Sequence, residues 1–131
     1  LFVATHAGID EHGGYLALAD GPLYALELSQ RPAAPEIVIL SSCVSALSNA
    51  LGPAGSLAAA FLAAGSSQVV ATLRRVSDPG SHELITAFFA DGGTRDPVRA
   101  LARVQARLAD TPNTDWPSFA VFGQDFCPSS P

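Results

Sequence analysis

Three short apolar runs constrain this chain more than any other feature: Leu1-Phe2-Val3-Ala4-Thr5, Ile37-Val38-Ile39-Leu40-Ser41-Ser42 and Gln68-Val69-Val70-Ala71-Thr72-Leu73. They are too short for buried helices and do not alternate with polar residues as a half-exposed strand would. Bounded by Gly- and Pro-rich breaks, they suit inner strands of a parallel sheet that is covered on both faces.

The intervening segments supply the cover. Ala7 to Gly14 reads as a charged, Gly-rich loop, followed by a short extended stretch from Tyr15 to Ala19 and a turn at Asp20-Gly21-Pro22. Leu23 to Ser29 is expected as a short helix with Pro22 at its first position and Leu23, Ala25 and Leu26 inward. Val44 to Ala54 reads as a loop over the top of the sheet. Gly55 to Ala64 is then a buried helix with Gly65 as its C-terminal cap. Asp78-Pro79 and Asp96-Pro97 each carry a helix-start signal, an N-cap carboxylate followed by a first-turn proline. The first of these helices predicts a core face of Leu84, Ile85, Phe88 and Phe89. The second reaches about Ala109 with a stripe of Val98, Leu101, Ala102 and Leu108. Arg95, Arg99, Arg103 and Arg107 recur every four residues on another face, which reads as solvated surface, with a partner-binding stripe as the other option. Trp116 to Phe122 closes the series as a last strand. The order describes an α/β domain, a mostly parallel sheet with helices on its faces and an open edge beside the first strand.

Composition narrows the function classes. A chain of 131 residues with 48% hydrophobic content fits one domain with an ample core. A net charge of −5 argues against the basic surface that nucleic acid requires, so no nucleic-acid contact is expected. No apolar run approaches the length of a membrane span, so no membrane contact is expected either. The two cysteines, Cys43 and Cys127, do not form a disulfide framework and read as free thiols of a reducing, cytoplasmic compartment, Cys127 being an incidental tail thiol. All seven basic residues are Arg, and the abundant Ala suggests a bacterial source with a GC-rich genome. The chain opens at Leu1 inside a strand, without an initiator Met or a signal-peptide pattern, and is expected to be a piece of something longer.

Two of the buried strands end in residues with chemistry. The first leads into His6 and the second into Cys43. Ligands of open α/β sheets bind outside the carboxyl ends of the strands, so neighbouring strands of this kind would set a base beside a thiol, a nucleophile with its activator. The remaining polar residues are plainer. His6, Asp10 and His12 could be imagined as a metal site, but such loop residues are ordinarily solvated, and no metal or cofactor is expected. His82, one turn into a helix, is expected at the surface. A glutamine amidotransferase or related hydrolase would place its nucleophile before its histidine, on a Gly-flanked elbow that Ser42-Cys43-Val44 lacks. No Gly-rich phosphate loop follows any strand, which disfavours nucleotide binding.

The motifs taken together resemble a CHAT domain, a member of the caspase-like (clan CD) cysteine peptidases. The resemblance rests on Ala4-Thr5-His6-Ala7-Gly8, Leu16-Ala17-Leu18-Ala19-Asp20-Gly21 and Ile37-Val38-Ile39-Leu40-Ser41-Ser42-Cys43. It continues through Ala60-Phe61-Leu62-Ala63-Ala64-Gly65 with Val69-Val70-Ala71-Thr72-Leu73, and ends at Trp116-Pro117-Ser118-Phe119-Ala120-Val121-Phe122-Gly123. These blocks fall in family order over almost the whole chain.

The resemblance implies a caspase-like three-layer sandwich, with residues 1–123 as the C-terminal portion of the domain; residues 124–131 read from their composition as a disordered tail. It implies a cysteine endopeptidase in which Cys43 attacks, His6 activates it, and the N–H groups of Ala7 and Cys43 hold the oxyanion. Thr72-Leu73-Arg74 is similar to the caspase segment whose arginine binds an acidic P1 side chain, so Arg74 is the implied substrate-binding residue. The implied partners are a protein or peptide substrate, the N-terminal part of the same domain, and further domains of the parent chain. The chain departs from the pattern at three places: Ala7 replaces the usual Gly after the His, Val44 the common acidic residue after the Cys, and Arg74-Arg75 a frequent Trp-Pro. Alanine offers the same N–H where its backbone angles allow, whereas glycine reaches angles that alanine avoids. These departures point to the alternative, a weakly active or inactive CHAT-like scaffold that joins other domains through its surface.

Overall fold

The computed structural model describes residues 1–31, 33–42 and 56–123. Cys43, the loop from Val44 to Ala54, and the tail with Cys127 therefore lie outside the described residues. The central sheet has four strands in the order β1, β5, β6, β7. Strands β1 (Phe2–Val3), β5 (Ile37–Leu40) and β6 (Gln68–Thr72) are parallel, and β7 (Phe119–Gly123) runs antiparallel to β6. The three apolar runs are thus the parallel strands, as expected. The first is shorter than its sequence, because the chain leaves the sheet after Val3.

A second, antiparallel sheet holds β2 (Ala7–Asp10), β3 (Gly13–Leu18) and β4 (Gly21–Tyr24). This sheet corrects two readings of the sequence. The expected loop from Ala7 to Gly14 is largely strand, and the first residues of the expected helix from Leu23 belong to β4. Helix α1 covers only Ala25–Ser29. The reason is tertiary: the Tyr15 ring lies over Gly8, where a Cβ would collide with it, and that cover makes a ribbon of a glycine-rich stretch. Asp10 closes the turn by accepting from the His12 backbone N–H at 2.7 Å, and Gly13 follows with φ of 104°. Pro22 sits in β4, an edge strand, where a missing N–H is tolerated.

The central sheet is sandwiched. Val38, Leu40, Val69 and Ala71 face α1 and α2 (Leu57–Ala63), together with Leu16 of the second sheet. Ile39 and Val70 face the other way, onto α3 (Asp78–Ala90) and α4 (Pro97–Leu108). Strict alternation along β5 and β6 therefore feeds two cores from one sheet. Helix α2 ends at Gly65 with φ of 111°, the left-handed cap expected there.

Helix α3 begins one residue earlier than its signal suggests. Ser77 is the cap, accepting from the Gly80 N–H at 3.1 Å, with Asp78 and Pro79 already helical. Phe88 is fully buried, a side chain worth about 1.5–3 kcal/mol of transfer free energy. Phe89, expected inward, is 37% exposed and packs edge-on against Phe2. In α4 the buried stripe is Ala100, Leu101, Val104 and Leu108, while Val98 and Ala102 face outward. Leu26 of α1 is likewise exposed.

The arginine row is partly engaged. Arg103 and Arg107 grip Asp91, and Arg99 pairs with Asp96. Trp116–Ser118 forms a 3-10 turn ahead of β7, so the last strand starts later than read. Among the described residues no helix is long and apolar enough to cross a membrane.

Candidate active-site cleft

Parallel strands deliver their last residues to one edge of a sheet, and the cleft forms there. The ladder between β1 and β5 pairs Phe2 with Ile39 and Val3 with Leu40, and the Ser41 N–H donates to the Val3 carbonyl at 2.9 Å. Beyond Val3 the chain crosses to the second sheet. Thr5 Oγ1 donates to the Ala17 carbonyl at 2.7 Å, and the Ala17 N–H donates to the His6 carbonyl at 2.8 Å. The His6 backbone is thus tied to β3 while the residues before it belong to β1, and its side chain is exposed at the crossing.

Antiparallel pairing decides what Ala7 can offer. Hydrogen-bonded and non-hydrogen-bonded pairs alternate along such a ladder. The bond from Ala17 to His6 makes that pair a hydrogen-bonded one, so the next pair, Ala7 with Leu16, is not. The Ala7 N–H therefore points away from β3. Ala7 is in an extended strand outside the left-handed region, a conformation alanine adopts without strain.

A cleft of about 620 Å³ opens at this edge. One wall is Phe2, Ala4, Thr5, His6 and Ala7; the floor is Ser41 and Ser42; the far wall is Val76, Asp78, Ser81, His82 and Ile85 from the start of α3 and the residues before it. Two bonds fix the floor. Ser41 Oγ meets Ser81 Oγ at 2.9 Å, and Thr72 Oγ1 donates to the Ser42 carbonyl at 2.5 Å in a buried setting. The far wall is anchored from behind: Ser77 donates its backbone N–H and its hydroxyl to Asp115 Oδ2, at 3.0 and 2.5 Å.

Of the residues singled out in the sequence, His6 and Ala7 come together in this cleft. Arg74 lies exposed just beyond the end of β6 and does not line it. Cys43 follows Ser42 directly but lies outside the described residues. His12 is far from a ligand set: among the described residues no three His, Cys, Asp or Glu side chains gather where a metal could be held. Asp78, Ser81 and His82 were not singled out as site residues from sequence. His82 is exposed, as expected, yet it faces the same cleft as His6. Only the position of α3, directly after a parallel strand, signals such a wall.

A mostly parallel sheet sandwiched between helices, with a cleft at its carboxyl edge, defines an α/β domain. The chain belongs to the CHAT domain family, whose model matches residues 1–124, and that family is related to the caspase-like cysteine peptidases. No curated protein matches the chain.

Proposed function

We propose that this domain is a cysteine endopeptidase working through His6 and Cys43, and that residues 1–123 are the C-terminal portion of its catalytic domain. The observation that carries the reading is the parallel register. Phe2 pairs with Ile39 and Val3 with Leu40, an offset of 37 residues, which is also the separation of His6 and Cys43 in sequence. By count, His6 and Cys43 each follow the last pair of that ladder, Val3 with Leu40, by three residues of chain. The same count reaches Arg74: β5 and β6 pair at an offset of 31, as in Ile39 with Val70, and Cys43 and Arg74 are 31 apart.

In this reading the Cys43 thiolate attacks the scissile carbonyl carbon, and the carbonyl oxygen takes the negative charge. The N–H groups of Ala7 and Cys43 hold that oxyanion. His6, having taken the thiol proton, returns it to the leaving amine, and a thioester remains. Water then attacks the thioester with His6 as base, releasing the acid and restoring the thiol. A free thiol titrates near about 8.5, so a neighbouring imidazolium is what enriches thiolate at neutral pH. Arg74 would hold an acidic P1 carboxylate by paired N–H bonds. The partners are a protein or peptide substrate in the cytoplasm, the N-terminal part of the same domain, and further domains of the parent chain.

Alkylation by iodoacetamide, mapped by peptide mass spectrometry from pH 5 to 9 with Cys127 as internal reference, tests the dyad. Cys43 should react well below pH 8 in the wild type and lose that reactivity in His6→Ala. A thiol that stays inert, or reacts alike without His6, gives the place to the non-catalytic scaffold.

A further inference from the structure

We infer that the outer face of the second sheet carries a binding site for a quaternary ammonium group, built from Tyr15, Tyr24 and Asp10. The register sets it up. Ala7, Leu16 and Leu23 form one row across β2, β3 and β4, and all three pack on the core beneath α1 and α2. The neighbouring row, Gly8, Tyr15 and Tyr24, therefore points the other way. Asp10, two residues after Gly8 on β2, and Pro22, two before Tyr24 on β4, share that outer face.

Glycine at the head of the row leaves room for a ring. The tip of Tyr15 lies within 2.7 Å of where a Gly8 Cβ would stand. Tyr24 is beside it, with the two ring centroids 5.7 Å apart and the planes at 62°. The Tyr24 hydroxyl donates to Asp10 Oδ2 at 2.8 Å, and the His12 backbone N–H donates to Asp10 Oδ1 at 2.7 Å. Donation to a carboxylate pushes electron density into the phenol ring, which makes its face a better seat for a cation. A cavity of about 370 Å³ lies among these side chains, with Ala17, Leu18, Gly21 and Pro22 completing its lining. None of these residues lines the cleft at His6, so the inference stands apart from the peptidase reading.

Charge selects the ligand. Residues 1–30 hold Asp10, Glu11, Asp20 and Glu27 and no Lys or Arg. His12 meets the Tyr24 ring edge-on and stands 3.7 Å from Glu11. Aromatic faces beside a carboxylate attract an organic cation. Geometry then favours ammonium over guanidinium. A guanidinium looks for the open fork of a carboxylate and a flat ring to stack on. Here both Asp10 oxygens already accept protein hydrogen bonds, and the two rings meet at an angle. A compact head fits such a corner. Full methylation removes its N–H donors and gives it an apolar surface, which suits walls of tyrosine, Ala17, Leu18 and Pro22. The head could belong to a trimethylated lysine side chain or to a free choline-like molecule, and the probes below tell these apart.

Amide NMR of the full chain, titrated in low salt, tests the site with four probes. They are choline, acetyl-trimethyllysine amide, acetyl-arginine amide, and the neutral isostere of choline in which carbon replaces the charged nitrogen. Both quaternary ammonium probes should give saturable shifts confined to β2, β3 and β4, with a Kd of about 1 mM or tighter. The neutral isostere and the arginine probe should bind at least about threefold more weakly. Tighter binding of the lysine probe than of choline assigns the site to a protein side chain, and the reverse order to a free cation. Asp10→Asn and Tyr24→Leu should each weaken binding about threefold to tenfold. If Tyr24→Leu does not fold, Asp10→Asn, which changes charge and little shape, carries the test. Equal binding of choline and its isostere overturns the inference, since the cavity would then be merely apolar. So does arginine binding as tight as trimethyllysine, a variant that binds like wild type, or no saturable shift by about 20 mM. No reaction of Cys43 enters the measurement, so its failure leaves the peptidase reading untouched.

Discussion

Ser41 and Ser81 stand hydroxyl to hydroxyl, 2.9 Å apart, and join the end of β5 to the first turn of α3. They belong to the floor and the far wall of one cleft and are separated by 40 residues of chain. Ser81 is buried, so each hydroxyl depends on the other more than on water. The cleft is therefore braced across its floor by a side-chain bond as well as by apolar packing beneath.

Removing one member of that pair should leave the other short of a partner. Ser41→Ala or Ser81→Ala should each destabilise the fold by about 1–2 kcal/mol. The double variant should cost less than the two together, with a coupling of about 0.5–1 kcal/mol. Urea unfolding of the four proteins measures this; strict additivity would show that the two hydroxyls do not support each other.

Gly80 stands in the first turn of α3, where a Cβ would run into the Asp115 carboxylate and come within 2.9 Å of Ser77 Oγ. Those are the groups that anchor the far wall of the cleft. Gly80→Ala should therefore lower stability by about 1–3 kcal/mol, the usual cost of overpacking, although alanine is the better helix former. Adding Asp115→Ala should recover part of the loss. A single variant as stable as wild type in thermal unfolding would mean the anchor yields freely.

Asp91 sits between two guanidiniums. Hydrogen bonds from Arg103 first and Arg107 second hold its carboxyl below the ordinary aspartate value. Between the lowered value and the ordinary one, the unfolded chain binds the extra proton, so stability rises with pH there. The contribution is complete above the ordinary aspartate value and is lost as pH falls through the lowered one. Asp91→Asn should flatten the acid limb of a plot of urea midpoint against pH. Added salt should shrink the difference from wild type, because the pair is partly exposed. Parallel acid limbs for the two proteins would contradict the assignment.

Arg74 is exposed, two residues beyond the end of β6. In a library of peptide substrates varied at P1, Arg74→Ala should remove any preference for Asp and leave cleavage after small apolar residues within about threefold of wild type. Wild-type cleavage that treats Asp and Ala alike would dismiss Arg74 as the P1 contact.

The central architecture was legible in local chemistry. Val38, Ile39 and Leu40 announce a strand buried on both faces, and the structure sends Ile39 to one core and its two neighbours to the other. The Asp-Pro signals foretold α3 and α4, because caps and first-turn prolines act within a few residues of chain. The second sheet was legible only in the extended stretch from Tyr15 to Ala19; Ala7 to Gly14 read as a loop and the chain from Leu23 as a helix. Its strands are short and glycine-rich, and they form because Tyr15 covers Gly8 and Ala17 bonds to His6.

The same division runs through the site. The sequence by itself determined that His6 comes a few residues after one parallel strand and Cys43 a few residues after another, since strand formation depends on residue type and immediate neighbours. Only the tertiary structure decided that Ala7 turns its N–H away from β3, that Thr72 holds the Ser42 carbonyl, and that Asp78, Ser81 and His82 face His6 across one cleft. Such relationships join residues tens of positions apart, and no local periodicity carries them. They arise when two cores pack against one sheet and bring its edge, the second sheet and the start of α3 to the same place.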